Sequence, residues 1–170
     1  MRLRPRQKLF VERSLAALSK HGNTLGVAPT GAGKTIMLSA VTGNLVADTG
    51  ATACVLAHRD ELTGQNRAKF AWVNPEVTTS VVDAHSKSWA GQVTFAMAPT
   101  LSRSANFAAM PRLDLLVIDE AHHAVADSYR RVIDRVRDNN PDARVFGVTA
   151  TPNRGDRKGL REVFDNVGDQ

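Results

Sequence analysis

The chain has 170 residues, 42% of them hydrophobic, a single cysteine and a formal net charge of +5. That length suits one ordinary domain with a buried core and leaves little room for a second of similar size, so residues 1–170 are expected to form a single domain. No run approaches the roughly 20 apolar residues needed to cross a bilayer, and the basic, polar N-terminus lacks the apolar centre of a signal peptide; a soluble cytoplasmic protein without membrane partners is expected.

Residues 1–20 hold six Lys or Arg and one Glu, while the remaining 150 residues balance at 16 against 16. Such a basic segment can meet nucleic-acid phosphates or be a solvated helix face, and both readings stand on charge alone. Phe10, Ala17 and Leu18 give it an apolar stripe, and His21, Gly22 and Asn23 supply a stop before the first strand.

Six runs read as strands: Thr24 to Ala28, Thr52 to Ala57, Val77 to Val82, Val93 to Ala98, Leu115 to Ile118 and Arg144 to Val148. Leu115, Leu116, Val117 and Ile118 are apolar without alternation, as in a parallel strand covered on both faces. Helical patterns lie between the runs, for example Tyr129, Val132, Ile133 and Val136 at i, i+3, i+4 and i+7. Alternating strands and helices predict an α/β fold, a mainly parallel sheet flanked by helices in three layers. Cys54 lies inside an apolar strand and reads as a buried structural thiol. The polar tail from Asn153 to Gln170 reads as a possible helix with loose ends, or the start of a linker.

Ala28, Pro29, Thr30, Gly31, Ala32, Gly33, Lys34 and Thr35 follow a predicted strand and open a predicted helix, the context a P-loop needs. The glycines let backbone N–H groups turn inward around a β-phosphate, and the helix N-terminus adds partial positive charge. Lys34 is a point charge for the β- and γ-phosphates and the Thr35 hydroxyl a Mg2+ ligand. The strict pattern asks for Gly where this chain has Ala28. A glycine-rich turn serving only strand-to-helix geometry would need neither the Lys nor the Thr.

Asp119, Glu120, Ala121 and His122 come straight after the buried run, placing two carboxylates at the C-terminal edge of a strand, where open α/β sheets bind ligands. Asp119 is expected to hold Mg2+ through its water shell, and Glu120 to orient or deprotonate the water that attacks a γ-phosphate. The bland alternative is a solvated acidic pair capping the next helix. His122 and His123 lack the H-E-x-x-H spacing of a helical zinc site and have no cysteine near, so His123 reads as a surface or packing residue.

Taken together, Ala28 to Thr35, Asp-Glu-Ala-His at 119–122 and Thr149, Ala150, Thr151, Pro152 resemble motifs I, II and III of superfamily 2 DEAD/DEAH-box helicases. Further blocks look similar: Leu3, Arg4, Pro5 and Gln7 near the start, Val55 to Leu62 as motif Ia, and Pro99, Thr100, Leu101 as motif Ib. Ala28 is the usual helicase form of the loop's first position. The resemblance spans nearly the whole chain and implies a P-loop RecA-like domain, the first of a pair, binding ATP and Mg2+ and tracking nucleic acid, DNA ahead of RNA. It implies that Gln7 reads the adenine edge, although Arg6 stands where an aromatic is common. His58 and Arg59 match contacts to the nucleic-acid backbone through a cationic side chain, and Thr100, Leu101 and Ser102 match contacts through helix N-terminal N–H groups. Thr149 and Thr151 match the motif that relays nucleotide state to nucleic-acid grip, through hydrogen bonds toward Asp119 or His122. Arg154, Asp156, Gly159 and Leu160 continue like the branch of restriction-enzyme motor subunits and repair helicases.

The second RecA-like domain, which supplies the arginines that stabilise the transferring phosphoryl group, is absent from this chain. An arginine finger is worth about 10^3 to 10^5 in rate, so the isolated domain is expected to bind ATP weakly, hydrolyse it barely and unwind nothing. A P-loop kinase or ring ATPase would explain the loop but not motifs II and III together, and a non-catalytic nucleic-acid-binding module would have no need of an intact Lys34, Thr35, Asp119 and Glu120.

Overall fold

Leu115–Asp119 and Ala53–Ala57 are buried at all five positions each, a state a strand reaches only with helices on both faces and neighbours on both edges. The computed structural model, which describes residues 2–28, 33–47, 49–150 and 154–164, shows how this is achieved. Strands β1 (Asn23–Val27), β2 (Ala53–Ala57), β3 (Thr79–Val82), β4 (Val93–Met97), β5 (Leu115–Asp119) and β6 (Arg144–Thr149) form one sheet in the order β1-β6-β5-β2-β4-β3. Every pairing is parallel. All six expected runs are strands, with ends displaced by no more than two residues. The largest displacement is at β3, because the Val77 N–H bonds Asn74 O in the turn that precedes it.

Helices α1 (Pro5–His21), α2 (Lys34–Val46), α3 (Asp60–Val73), α4 (Ala98–Leu101), α5 (Ser104–Ala109), α6 (Asp127–Asn139) and α7 (Arg154–Val163) connect the strands, with a 3-10 turn at Ala121–Val125. Successive strand residues point to opposite faces, and two cores result. Val55, Val117, Phe146 and Val148 face α1, α2 and α3 through Phe10, Leu18, Leu38, Val41 and Phe70. Cys54, Leu56, Leu116, Ile118 and Val145 face α6 and α7 through Tyr129, Val132, Ile133, Val136 and Leu160. The stripe predicted on α6 is buried as a unit.

On α1, Pro5 supplies a preset first turn and Gly22, at φ 76°, ends the helix in the left-handed conformation that glycine adopts without strain. Its basic side chains Arg6, Lys8, Arg13 and Lys20 are exposed, whereas Gln7, Phe10, Val11, Ser14 and Leu18 are buried. The tail is better anchored than its polarity suggests: Leu160, Val163 and Phe164 are buried in the core beside α6, and Arg130 reaches across to Glu162 at 3.0 Å. Among the described residues no helix is long and apolar enough to cross a membrane.

The register sets the site. Val27 pairs with Thr149, Val148 with Asp119 and Ile118 with Leu56. The chain therefore leaves β1, β6, β5 and β2 at nearly one level, along the carboxyl edge of the sheet.

Candidate functional site

Lys34 opens α2 directly after Gly33, whose φ of 78° turns the backbone from the phosphate-loop segment into the helix. Its ammonium lies between two carboxylates, 3.1 Å from Asp119 Oδ1 and hydrogen-bonded to Glu120 Oε1. Asp119 ends β5 and is only 2% exposed, so it could not stay charged without such partners. Among the described residues it has three: Lys34, the Glu120 N–H donating to Oδ1 at 2.9 Å, and Asn66 Nδ2 donating to Oδ2 at 3.1 Å. Glu120 itself sits at φ 53° and ψ 53°, left-handed backbone in a non-glycine residue, a conformation that costs roughly 1–2 kcal/mol. Such strain is common where a side chain must be aimed.

Burial pushes the Glu120 carboxyl up, but the Lys34 hydrogen bond and charge, helped by His122 and His123, outweigh it and hold it below its ordinary value. Burial pulls Lys34 down, and the Asp119 charge together with the Glu120 and Asp119 hydrogen bonds raises it above its ordinary value. The two directions agree, since each partner holds the other in its charged form.

His122 Nδ1 lies 3.1 Å from Thr149 Oγ1 at the end of β6 and 3.6 Å from Glu120 Oε2. Its ring meets that of His123 at 4.2 Å, and His123 meets His58 at 4.1 Å. Burial, then the neighbouring His122 and His58, lowers the His123 pKa. Burial followed by the Asp119 and Glu120 charges drives Tyr129, on the far side of His123, upward.

Gln7 is buried against Gly33, where any added Cβ would run into its Nε2, and its Oε1 accepts the Arg4 N–H at 2.9 Å. Thr35 is half-buried in the first turn of α2. A buried carboxylate and a nearby helix-start hydroxyl are hard oxygen donors of the kind Mg2+ takes, with phosphate and water completing its shell. Among the described residues no group of three or more His, Cys, Asp or Glu converges to hold a metal alone. Pro29, Thr30, Gly31, Ala32 and Thr151 lie outside the described residues.

Of the expected nucleic-acid contacts, Arg59 is exposed, while His58 is half-buried with its ring on His123. Thr100, Leu101 and Ser102 lie just beyond β4. Pro99 starts a helical turn immediately after β4, so Thr100 and Leu101 fall in α4 and Ser102 caps its C-terminal end. The Ser102 N–H is bonded to Ala98 O, the Arg103 N–H to Thr100 O, and the Leu101 side chain is fully buried. Thr100 falls in the first turn of α4, where backbone N–H groups have no intrahelical acceptor, whereas the Ser102 N–H is used within the turn. A cleft of about 380 Å3 that includes Thr52, Trp89 and Gln92 lies at the opposite edge of the sheet, by the starts of β2 and β4, and none of its lining residues is charged. It is remote from the paired carboxylates.

Asn66 was not legible as a site residue when its motif was read linearly. Thr63, Asn66 and Phe70 are all buried and fall at i, i+3 and i+7 of α3. An amide on an otherwise buried face is the signal that points to it.

The family described as the type III restriction enzyme, res subunit, matches residues 1–154. IRC3 of Saccharomyces cerevisiae is 27% identical over an alignment of 178 residues that covers 97% of this chain and 26% of that protein. The ATP-dependent DNA helicase MPH1 of Pyricularia oryzae is 33% identical over 159 residues, covering 86% of this chain and 14% of its own length. Among solved structures, the helicase domain of Pyrococcus furiosus Hef superposes with a TM-score of 0.82 at 21% identity, over 98% of this chain and 37% of that one. This chain thus spans about a quarter or less of the curated relatives it matches, and it shares with the solved helicase domain a RecA-like fold.

Proposed function

The chain belongs to the type III restriction enzyme res subunit family, and from that premise we propose that it is the first RecA-like domain of an ATP-dependent, DNA-directed motor, cytoplasmic, and completed by a second RecA-like domain. The observation that carries the reading is Lys34 clasped between Asp119 and Glu120 at the carboxyl edge of a parallel sheet, with His122 and Thr149 alongside. DNA is favoured over RNA by the name of the related MPH1.

In this reading Lys34 transfers from the two carboxylates to the β- and γ-phosphates of ATP, releasing Glu120 to orient the attacking water and accept its proton. The lowered pKa keeps Glu120 ionised near neutrality while Lys34 holds it; once the lysine moves, its basicity rises toward that of a useful base. Thr35 and Asp119 would hold Mg2+, which supplies charge neutralisation on the phosphate oxygens. Gln7, packed on Gly33, stands beside the phosphate loop where an adenine edge would be read. Arg59 offers an exposed cation to a phosphodiester backbone.

Equilibrium binding of N-methylanthraniloyl-ATP, with and without Mg2+, to the chain and to Lys34→Ala tests the reading. Binding that needs both the lysine and the metal is expected. Equal binding by the variant would remove the phosphate site. Joined to a second RecA-like domain, the protein should gain ATP hydrolysis by about 10^3-fold or more, stimulated by DNA.

A further inference from the structure

Asp119 is reached from a direction that its motif does not contain. Its Oδ1 is committed to the Glu120 N–H and to Lys34, whereas its Oδ2 faces α3 and accepts from Asn66 Nδ2 at 3.1 Å. An ionised carboxylate only accepts, so the amide must present its NH2 here, and the orientation of Asn66 is fixed by chemistry. Both side chains are sealed from solvent, Asn66 at 1% and Asp119 at 2% exposure, so water cannot take over either role.

We infer that Asn66 is a positioning residue for the metal-holding carboxylate of Asp119, setting which oxygen faces the nucleotide; the inference rests on the reading of Asp119 as a Mg2+ ligand. An apolar side chain would suit a site sealed between Thr63 and Phe70 without needing a partner, so packing alone does not account for an amide there. The helix that carries Asn66 is itself held to the phosphate-loop helix: Asn74 at the end of α3 donates from Nδ2 to Ser39 O on α2 at 3.0 Å. Thr35, the other candidate metal ligand, lies in the first turn of that same α2. Asn66 thus refers the carboxylate at the end of β5 to the helix pair that carries the hydroxyl, and the two ligands keep a common frame. When Lys34 leaves for phosphate, the amide and the Glu120 N–H remain to hold the carboxylate plane.

The test is a Mg2+ titration of N-methylanthraniloyl-ATP binding to the wild-type chain, Asn66→Leu and Asn66→Ala, alongside nucleotide affinity in EDTA and a thermal melt of each. Both variants should raise the Mg2+ concentration at half-saturation roughly 10-fold or more, as loss of an outer-sphere partner does. Nucleotide affinity in EDTA should stay within about twofold of wild type, because no phosphate contact is touched. The two variants differ in volume but not in the missing donor, so if one fails to fold the other decides. A Mg2+ requirement unchanged in the folded variants, or metal-free and metal-bound affinities falling in step, would overturn the inference while leaving the ATP site intact. A wild-type chain whose nucleotide binding ignores Mg2+ would remove the metal reading of Asp119 and this inference with it.

Discussion

Replacing Lys34 with methionine isolates the ion cluster at the centre of the site. Methionine keeps most of the side-chain length but no charge, so Asp119 and Glu120 are left facing each other. At 3.1 Å and an effective dielectric near 20, the attraction between Lys34 and Asp119 is about 5 kcal/mol in gross terms. Lys34 regains its hydration in the unfolded chain, Asp119 keeps its Asn66 and Glu120 N–H bonds, and Glu120, 28% exposed, can swing toward water. A net loss of about 2 kcal/mol is expected, below the roughly 3–5 kcal/mol of a fully buried broken pair. For a domain of this size that is about 4–8 °C in Tm.

The pH dependence gives the prediction its sign. Glu120 is lowered in the folded state from 4.5, so its contribution is present above that value and is lost as pH falls through the folded pKa. Lys34 is raised from 10.5, so its contribution holds below that value and is lost only as pH rises through the folded pKa. The difference in Tm between wild type and Lys34→Met should therefore be full near pH 7 and narrow below about pH 4. Calorimetric melts of both proteins across that range measure it. A gap absent at neutrality would show that Lys34 is a solvated side chain with no hold on either acid, and a gap constant down to about pH 3.5 would show that it does not hold Glu120.

Four other outcomes are expected. Gly33→Ala forces a Cβ into left-handed backbone and against Gln7; the backbone cost alone is roughly 1–2 kcal/mol, so Tm should fall by several degrees, and nucleotide affinity should fall with it. Phe164→Ala empties a site 1% exposed against Gly147 and should cost about 3–5 kcal/mol, read from the urea midpoint. Thr149→Val, in a protein joined to its second RecA-like domain, removes the hydroxyl facing His122 Nδ1; one lost hydrogen bond of about 1 kcal/mol corresponds to roughly a fivefold fall in DNA-stimulated ATP hydrolysis, with Thr149→Ser retaining most of it. Cys54 is fully buried and its thiol is pushed up to about 12, so it should resist Ellman's reagent at pH 8 until the chain unfolds, and its reaction rate in mild denaturant should report global opening.

The parallel sheet could be read from the chain because its strands are short apolar runs whose burial on both faces leaves no polar alternation, as in Leu115 to Ile118. The phosphate loop and the acidic strand end were legible for a different reason: their functional atoms come from consecutive residues. What no linear motif contains is the meeting of Lys34 with Glu120, 86 positions apart, or of Asn66 with Asp119, 53 apart. Those follow from strand order. The tail reads as a possible helix and is one over Arg154–Val163, but its charged residues mask Leu160, Val163 and Phe164, whose i, i+3, i+4 spacing seats them in the core.

In the proposed function, strand order would let one sheet edge serve two ligands. Along the carboxyl edge the neighbours run β1, β6, β5, β2, β4, so the phosphate-loop segment, Thr149 and Asp119 form one half, and His58, Arg59 and α4 form the other. The halves meet where β5 pairs with β2, at Ile118 and Leu56. Just past the end of β2, two residues beyond that pairing, stands His58, whose ring meets His123 at a tilt, as His123 meets His122, which in turn meets Thr149. Beneath them α3, capped by the exposed Arg59, carries Asn66 to Asp119. In the proposed function, a phosphodiester held by Arg59 would act on an element whose second turn grips Asp119, and the nucleotide half could not rearrange around that carboxylate without loading the helix. Communication between the two proposed ligands would need no long path in such a sheet, because parallel order puts the candidate residues for both on adjacent strand ends.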